Sequence, residues 1–442
     1  MGAMEPIIAL ATPPFVSALA LLRLSGDGVF AILESLFSKP IGNVEQRRIE
    51  FGTLRFEGKE IDQVCVYLYP NPRSMTGEDV VEITCHGSMV IVDEIVAAFL
   101  SKGVRYAVNG EFSSRAFLNG KMDLIEAEAV NDMIKATTAE AKNVALLSLE
   151  GKTSKVVLPL KQELADLLAL LEVGIDYPEY DEEEAFTIPA FLTKSQAIRE
   201  RLQGLIAQGE EGKIIRNGIK VAIVGEPNVG KSSLLNALLE EEKAIVSPIP
   251  GTTRDIVEGQ ISVKGIPVLL LDTAGIHQTE DQIERIGVDR SYASVEQADL
   301  ILHVLDASKP EEDPDLEARL AGKKVVKIFN KADLVPSQKE GELYISALHH
   351  EVEAVKEAIY QALAIHEDSY HTPSLSNVRE LALLRKIDGE LAKAQEEAGA
   401  GAGFDLLSLS LQRAYRFCRE LLGEEASQDL SDEIFSRFCV GK

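Results

Sequence analysis

The chain has no tryptophan and only four cysteines, Cys65, Cys85, Cys418 and Cys439. None forms a C-x-x-C pair, so a zinc ribbon, a thioredoxin-like redox motif and a dense disulfide scaffold have no support. The thiols read as free groups in a reducing compartment, and the expected location is the cytoplasm. No apolar run approaches the roughly 18 residues that would span a membrane, so no membrane partner is expected. Positive charge is also short: 45 Lys and Arg face 71 Asp and Glu, a net charge of -26. A general nucleic-acid coat needs a basic field to displace counterions, and this composition argues against one. A local basic patch, or RNA held mainly by a partner, stays open.

What is present fills two to four domains' worth of chain, 442 residues. Residues 4–118 mix short β-rich runs, such as Ile7 to Leu10, Ala20 to Leu24, Val64 to Tyr69 and Val80 to Thr84, with helical ones. That pattern predicts a small α+β domain. From Asn119 the period becomes helical: Val156, Leu160, Leu164, Leu167, Leu168 and Leu171 make one stripe, with Pro159 expected near the first turn of its helix or as a kink. The acidic run from Asp176 to Glu184 reads as a solvated loop. A β/α alternation begins at Lys220 and ends near Ala364; helical periodicity then returns over Asn377 to Gln395 and Phe404 to Leu422, with a flexible loop from Ala398 to Gly403 between them. The expected architecture is multidomain α+β and α/β. An N-terminal domain (4–118) precedes a helical domain (119–213 and 372–442), which is interrupted by an inserted P-loop nucleotide domain of Ras-like type (214–371).

The insert carries the chemistry. After the buried-strand run Val221 to Val224 comes Gly225-Glu226-Pro227-Asn228-Val229-Gly230-Lys231-Ser232, and then a helical run from Leu234. This G-x-x-x-x-G-K-S in a strand–loop–helix context presents backbone N–H groups and a helix N-terminus to phosphates. Asn228, Val229, Gly230, Lys231, Ser232 and Ser233 are the expected contacts, with Lys231 on the β- and γ-phosphates and Ser232 on Mg2+. Thr253, in Gly251-Thr252-Thr253-Arg254-Asp255, is expected to complete the Mg2+ site. Asp272, Thr273, Ala274 and Gly275 end another strand; Asp272 suits the magnesium water shell and the Gly275 N–H the γ-phosphate. Asn330-Lys331-Ala332-Asp333 supplies a carboxylate, Asp333, that accepts both N1–H and the 2-amino group of guanine, which adenine does not offer. Ser346 and Ala347 fit the last base-contacting loop.

The position after Gly275, where many GTPases carry a water-orienting glutamine, is Ile276. Glu284 is within reach of a mobile loop and is a candidate to orient the attacking water; the alternative is a solvated glutamate at a helix start, favoured by the dipole. No arginine finger is assignable, so another positive charge is needed. A monovalent cation is one option, with Asn228 offering a side-chain oxygen, although Asn228 equally suits a turn.

Beyond these motifs, the segments ALATPP, LLRLSG, SMTGEDVVEITCHGS, GEFSSRAFLNGKMDLIEAEAVNDMI, DTAGIHQTEDQIERIG and IFSRFCVGK resemble the MnmE (TrmE) family of tRNA modification GTPases over nearly the whole chain. The resemblance implies an N-terminal folate-binding domain that dimerises, and potassium-stimulated hydrolysis with K+ held by Asn228, Ser247, Ile249 and Thr252. It implies Glu284 as the catalytic glutamate, and an FAD-containing partner subunit with which an aminomethyl-type group is added to carbon 5 of the wobble uridine of certain tRNAs. A tetrahydrofolate derivative, of the 5-formyl or methylene type, is implied at Arg23, Glu82, Lys121 and Lys442. Cys439 matches the family's C-terminal cysteine, a functional thiol or a packed tail residue. One departure stands out: Phe15-Val16-Ser17-Ala18 replaces a glycine-rich stretch, which removes access to positive φ there. A ribosome-assembly or signalling switch shares the nucleotide motifs, and a folate-dependent one-carbon transferase shares the N-terminal features. The first leaves residues 4–118 and the FCVGK ending unexplained.

Overall fold

The computed structural model describes residues 4–176, 187–241, 257–271, 294–310, 313–425, 433–438 and 440–441. They fall into two compact units, residues 1–131, 157–161 and 415–442, and residues 132–156 and 162–414.

The first unit is built on a six-stranded sheet. Its elements are β1 (Ile7–Leu10), β2 (Leu19–Ser25), α1 (Val29–Glu34), β3 (Arg48–Phe56), β4 (Lys59–Tyr69), β5 (Val80–His86), α2 (Met89–Leu100), β6 (Arg105–Tyr106) and α3 (Glu111–Leu118). The strand order is β3-β4-β5-β2-β1-β6. Alternation along β5 sends Val81, Ile83 and Cys85 into the core with Leu22 and Leu24 of β2, where Ile95 and Phe99 of α2 cover them. The same alternation puts Arg23 and Glu82 on the other face, directly opposite each other in the β2/β5 register. The Phe15–Ala18 departure leads into β2: Ser17 N–H donates to Gly87 O at 3.1 Å and Gly87 N–H to Ala18 O at 3.3 Å, while Phe15 and Val16 are exposed.

Four helices follow: α4 (Leu124–Lys135), α5 (Ala139–Leu149), α6 (Lys152–Asp176) and α7 (Ile188–Asn217). In α6, Leu160, Leu164, Leu167 and Leu171 of the expected stripe are buried, while Val156 and Leu168 are half-buried and Val157 takes the buried place at its start. Pro159 lies well inside this helix rather than in its first turn. Its ring is exposed, where the missing N–H does not leave a buried carbonyl without a partner. The acidic run expected as a loop lies, beyond Asp176, outside the described residues.

The second sheet contains β7 (Ile219–Val224), β8 (Val257–Val263), β9 (Ile266–Leu271), β10 (Leu300–Asp306), β11 (Val325–Asn330) and β12 (Leu343–Tyr344), with helices α8 (Lys231–Glu241), α9 (Pro314–Leu320) and α10 (Glu353–Leu363). The order is β12-β11-β10-β7-β9-β8, parallel except for β8. β7 and β10 are buried nearly end to end, which is why apolar residues dominate both, Lys220, His303 and Asp306 apart. The chain leaves β7 towards β9 and later returns on the other side as β10. The carboxyl end of β7 is therefore a switch point, where open α/β sheets hold ligands. The chain closes with α11 (Val378–Gly399) and α12 (Phe404–Leu421). Asn377 and Glu380 form a reciprocal capping box at the start of α11. That helix runs on through Gly399, so the loop expected from Ala398 is shorter than its composition suggested.

A buried ionic network ties the first unit together. Arg115 donates to Glu78 Oε2 at 3.0 Å, Glu111 Oε1 at 2.8 Å and the Glu5 carbonyl at 2.9 Å, and Ser25 Oγ donates to Glu78 Oε2 at 2.7 Å. Burial pushes the Glu111 carboxyl up, but the Arg105 guanidinium, the Val108 N–H and Arg115 outweigh it and hold it at about 2 against an ordinary 4.5. A depressed folded-state value means that this stabilisation is complete above the unfolded value and fades as pH falls from 4.5 towards 2. Glu111→Gln is expected to lower stability at pH 7 and to flatten its decline over that window. Urea denaturation across the pH series measures it, and an unchanged acid limb would remove Glu111 from the account.

Candidate functional site

The loop from Gly225 to Gly230 runs between β7 and α8. Gly225 (φ 151°) and Gly230 (φ 96°) both adopt positive φ. A Cβ on Gly230 would lie 2.1 Å from Asn330 Nδ2, and one on Gly225 2.1 Å from the Val304 carbonyl oxygen, so neither position admits a side chain. Asn228 also has positive φ, 62°, and its side chain is exposed. Lys231 Nζ donates to the carbonyls of Gly225 at 2.9 Å and Glu226 at 2.7 Å, which holds the ammonium against the loop. Burial lowers the Lys231 pKa. Ser232 and Ser233 follow in the first turn of α8 with exposed side chains.

The base-side residues meet this loop through one amide. Asn330, 3% exposed at the end of β11, donates from Nδ2 to Val229 O at 2.8 Å and accepts at Oδ1 from Ala347 N–H at 3.0 Å. Asp333 is exposed, and its Oδ1 accepts from Ser346 Oγ at 2.7 Å. The Ser346 N–H in turn donates to Glu351 Oε2 at 3.0 Å. A carboxylate oriented by a neighbouring hydroxyl and facing solvent can accept two hydrogen bonds from the N1–H and 2-amino edge of guanine.

The structure thus brings Asn228, Val229, Gly230, Lys231, Asn330, Asp333, Ser346 and Ala347 to the carboxyl ends of β7 and β11. Ser247, Ile249, Thr252, Thr253, Asp272, Thr273, Ala274, Gly275 and Glu284 lie outside the described residues. Two participants escape motif reading. Glu351 holds the Ser346 loop. Asp306, at the end of β10, accepts from Lys331 Nζ at 2.6 Å and from Ser308 Oγ at 2.6 Å. Burial pushes the Asp306 carboxyl up, but Lys331 and Ser308 outweigh it and hold it at about 2. An Asp closing the buried run Leu300 to Leu305 beside the switch point was the available signal.

In the first unit, Arg23 donates to Glu82 Oε1 at 2.8 Å and to the Gly441 carbonyl at 3.0 Å, and its guanidinium lies 5.8 Å from the Phe112 ring centroid. The C-terminal tail therefore reaches this pair, although Cys439 and Lys442 themselves lie outside the described residues. Lys121 turns to another partner, donating to Pro72 O at 2.8 Å. No described helix is long and apolar enough to cross a membrane.

The Asp333 geometry sets a specificity test. In Asp333→Asn the carboxamide N–H faces the position of the 2-amino group and repels it, while it can donate to the 2-oxo group of xanthine. GTP affinity should fall about 100-fold or more and XTP affinity should rise. Fluorescence titration with both nucleotides measures it, and a retained GTP preference would remove Asp333 from the base site.

Sequence profiles agree with this assembly. One described as the MnmE helical domain matches residues 124–439, and one described as the GTP-binding protein TrmE N-terminus matches residues 6–121. The chain is similar to the tRNA modification GTPase MnmE of Oceanobacillus iheyensis, 41% identical over 99% of this chain and 99% of that protein. It is 40% identical to that of Geobacillus kaustophilus over 100% of both chains. It is 39% identical to that of Bacillus subtilis over 99% of this chain and 100% of that one. With a guanine-nucleotide site assembled around Asn330 and this similarity along its whole length, the chain belongs to the MnmE family and is a GTPase that acts in tRNA modification.

Proposed function

We propose that this GTPase hydrolyses GTP with Mg2+ and K+ and, together with an FAD-containing partner subunit, adds an aminomethyl or carboxymethylaminomethyl group to carbon 5 of the wobble uridine of certain tRNAs, using a tetrahydrofolate-derived one-carbon unit. The observation that carries the nucleotide half is the Asn330 amide, which joins the phosphate loop to the base loop at hydrogen-bond distance. The Ser232 hydroxyl, exposed in the first turn of α8 beside Lys231, suits a Mg2+ ligand, with Thr253 as its second. The exposed Asn228, in a left-handed turn of the loop, suits a K+ ligand alongside Ser247, Ile249 and Thr252. The two cations would neutralise charge that develops on the phosphates, the task an arginine finger performs elsewhere. Lys231 orients the β- and γ-phosphates from its seat on the Gly225 and Glu226 carbonyls, and Glu284 orients the attacking water.

The folate half rests on Arg23 and Glu82. A guanidinium suits the glutamate tail and a carboxylate the donor edge of a pterin, and Lys121 and Lys442 complete the assignment; Cys439 is a functional thiol or a packed tail residue. The exposed apolar side chains Phe15, Val16, Leu19, Ile49 and Phe51 support a homodimer formed through this N-terminal domain. The net charge of -26 supports a cytoplasmic assembly in which the partner holds most of the tRNA.

Turnover of GTP by the purified protein in potassium and in sodium, at matched ionic strength, tests the cation assignment. Potassium should be faster by about tenfold or more, and Asn228→Ala should bring the two rates together; equal rates in the wild type would sink the cation mechanism. Glu284→Ala should lower kcat by about 100-fold while GTP still binds. Undiminished turnover at saturating GTP would return Glu284 to the role of a solvated helix-start residue.

A further inference from the structure

Lys331 occupies an unusual place. Its φ of 65° is in the left-handed region, so the side chain leaves β11 in a direction that a regular strand end would not give it. It then reaches the neighbouring strand: Asp306 is the register partner of Asn330, and Lys331 Nζ lies 2.6 Å from Asp306 Oδ2. The four methylenes therefore span from the carboxyl end of β11 to that of β10. The anchor is itself fixed, because Asp306 Oδ1 accepts from Ser308 N–H at 2.9 Å and Ser308 Oγ at 2.6 Å, and Ala307 N–H donates to Asn330 O at 2.8 Å. A lysine in solution loses substantial rotamer entropy when its stem is ordered, and a two-point-held carboxylate removes that cost before any ligand arrives.

We propose that Asp306 is a positioning residue of the guanine site: it pins the Lys331 ammonium so that the methylene stem forms a preordered apolar wall for the flat face of the base. This rests on the base site read from Asn330, Asp333 and Ser346. The division of labour is then physical. Asp333 reads the edge of the base, and the Lys331 stem, held by Asp306, packs on its face without reading the edge.

The experiment is a fluorescence competition titration of the full chain with GDP and IDP. Inosine lacks the 2-amino group that Asp333 would accept from, but has the same ring face. Asp306→Asn should weaken GDP and IDP alike, by about tenfold, leaving the GDP/IDP preference near its wild-type value. Lys331→Met keeps most of the stem and removes the charge. In that background Asp306→Asn should cost less than about twofold, because the ion pair is already gone. Unchanged GDP affinity in Asp306→Asn, an equal loss in both backgrounds, or a collapsed GDP/IDP preference would each overturn the proposal. A wild-type protein that binds GDP and IDP equally would instead overturn the base-site reading beneath it.

Discussion

The side-chain amide of Asn330 is the contact on which the nucleotide site depends. It touches both halves, donating to the Val229 carbonyl in the phosphate loop and accepting from the Ala347 N–H in the base loop. Only a carboxamide does both: aspartate would set an acceptor against the Val229 carbonyl, and alanine would leave a buried acceptor and a buried donor unpaired, at about 1–3 kcal/mol each. The same amide explains the second glycine of the phosphate loop, since any Cβ at Gly230 would occupy the position of Asn330 Nδ2. Two motifs a hundred residues apart in sequence therefore express one packing constraint. The fourth residue of Asn330-Lys331-Ala332-Asp333 has the opposite requirement: a pure acceptor, exposed, with Ser346 to orient it.

That constraint also shows why the second sheet was legible. Parallel strands buried on both faces are dominated by apolar residues, so the Val221 to Val224 run of β7 announces itself, and the loop at its carboxyl end carries the chemistry by topology. The stripe on α6 and the cap of α11 are equally local signals. What stayed hidden depends on partners distant in sequence. Asp306 matters only because β10 lies beside β11, and Arg115 because α3 folds back onto Glu78 and the carbonyl of Glu5. Neither relation has a period or a spacing. Pro159 misled for a related reason: its position within α6 is tolerated because that face is exposed, and periodicity alone does not assign the solvent side to a proline.

The first unit shows the limit of reading charges singly. Arg23 and Glu82 each pass for surface charges in sequence, yet the β2/β5 register places them opposite each other on the face that the core leaves free. At that point the Gly441 carbonyl, 418 residues from Arg23 in the chain, adds a third group. A guanidinium that already satisfies a carboxylate and a carbonyl is oriented, with much of its rotamer freedom removed before a ligand arrives. Tail packing supports this placement: Phe435 and Phe438 bury against Phe117, Met122 and Leu124, which brings the residues after them back to β2.

An α/β domain can interrupt a helical one only if the chain leaves and returns at nearly the same place. Glu211 on α7 meets that requirement. Eight residues before β7 begins, its carboxylate accepts from His366 N–H at 3.2 Å and from Ser369 Oγ at 2.5 Å, on the segment by which the chain returns after α10. Gly209 and Gly212 on the same helix leave room for the Leu375 carbonyl and the Ser374 hydroxyl, each 2.3 Å from where a Cβ would stand. The join is not only at the crossing points. Val144 of α5 and Ile215 of α7 are buried in the same core as Val221, Leu270 and Ile359 of the nucleotide domain. On the β8–β9 turn the Lys264 carbonyl accepts from Tyr370 OH, and Gln260 Nε2 donates to Thr137 Oγ1 at 2.8 Å. Helices that share a close-packed core with the sheet cannot ignore a shift in it, because packed interiors transmit displacement rather than absorb it. The strand pair β8–β9, flanked in sequence by the Gly251–Asp255 and Asp272–Gly275 motifs, is thus tied to Thr137 before α5 and to Tyr370 after α10.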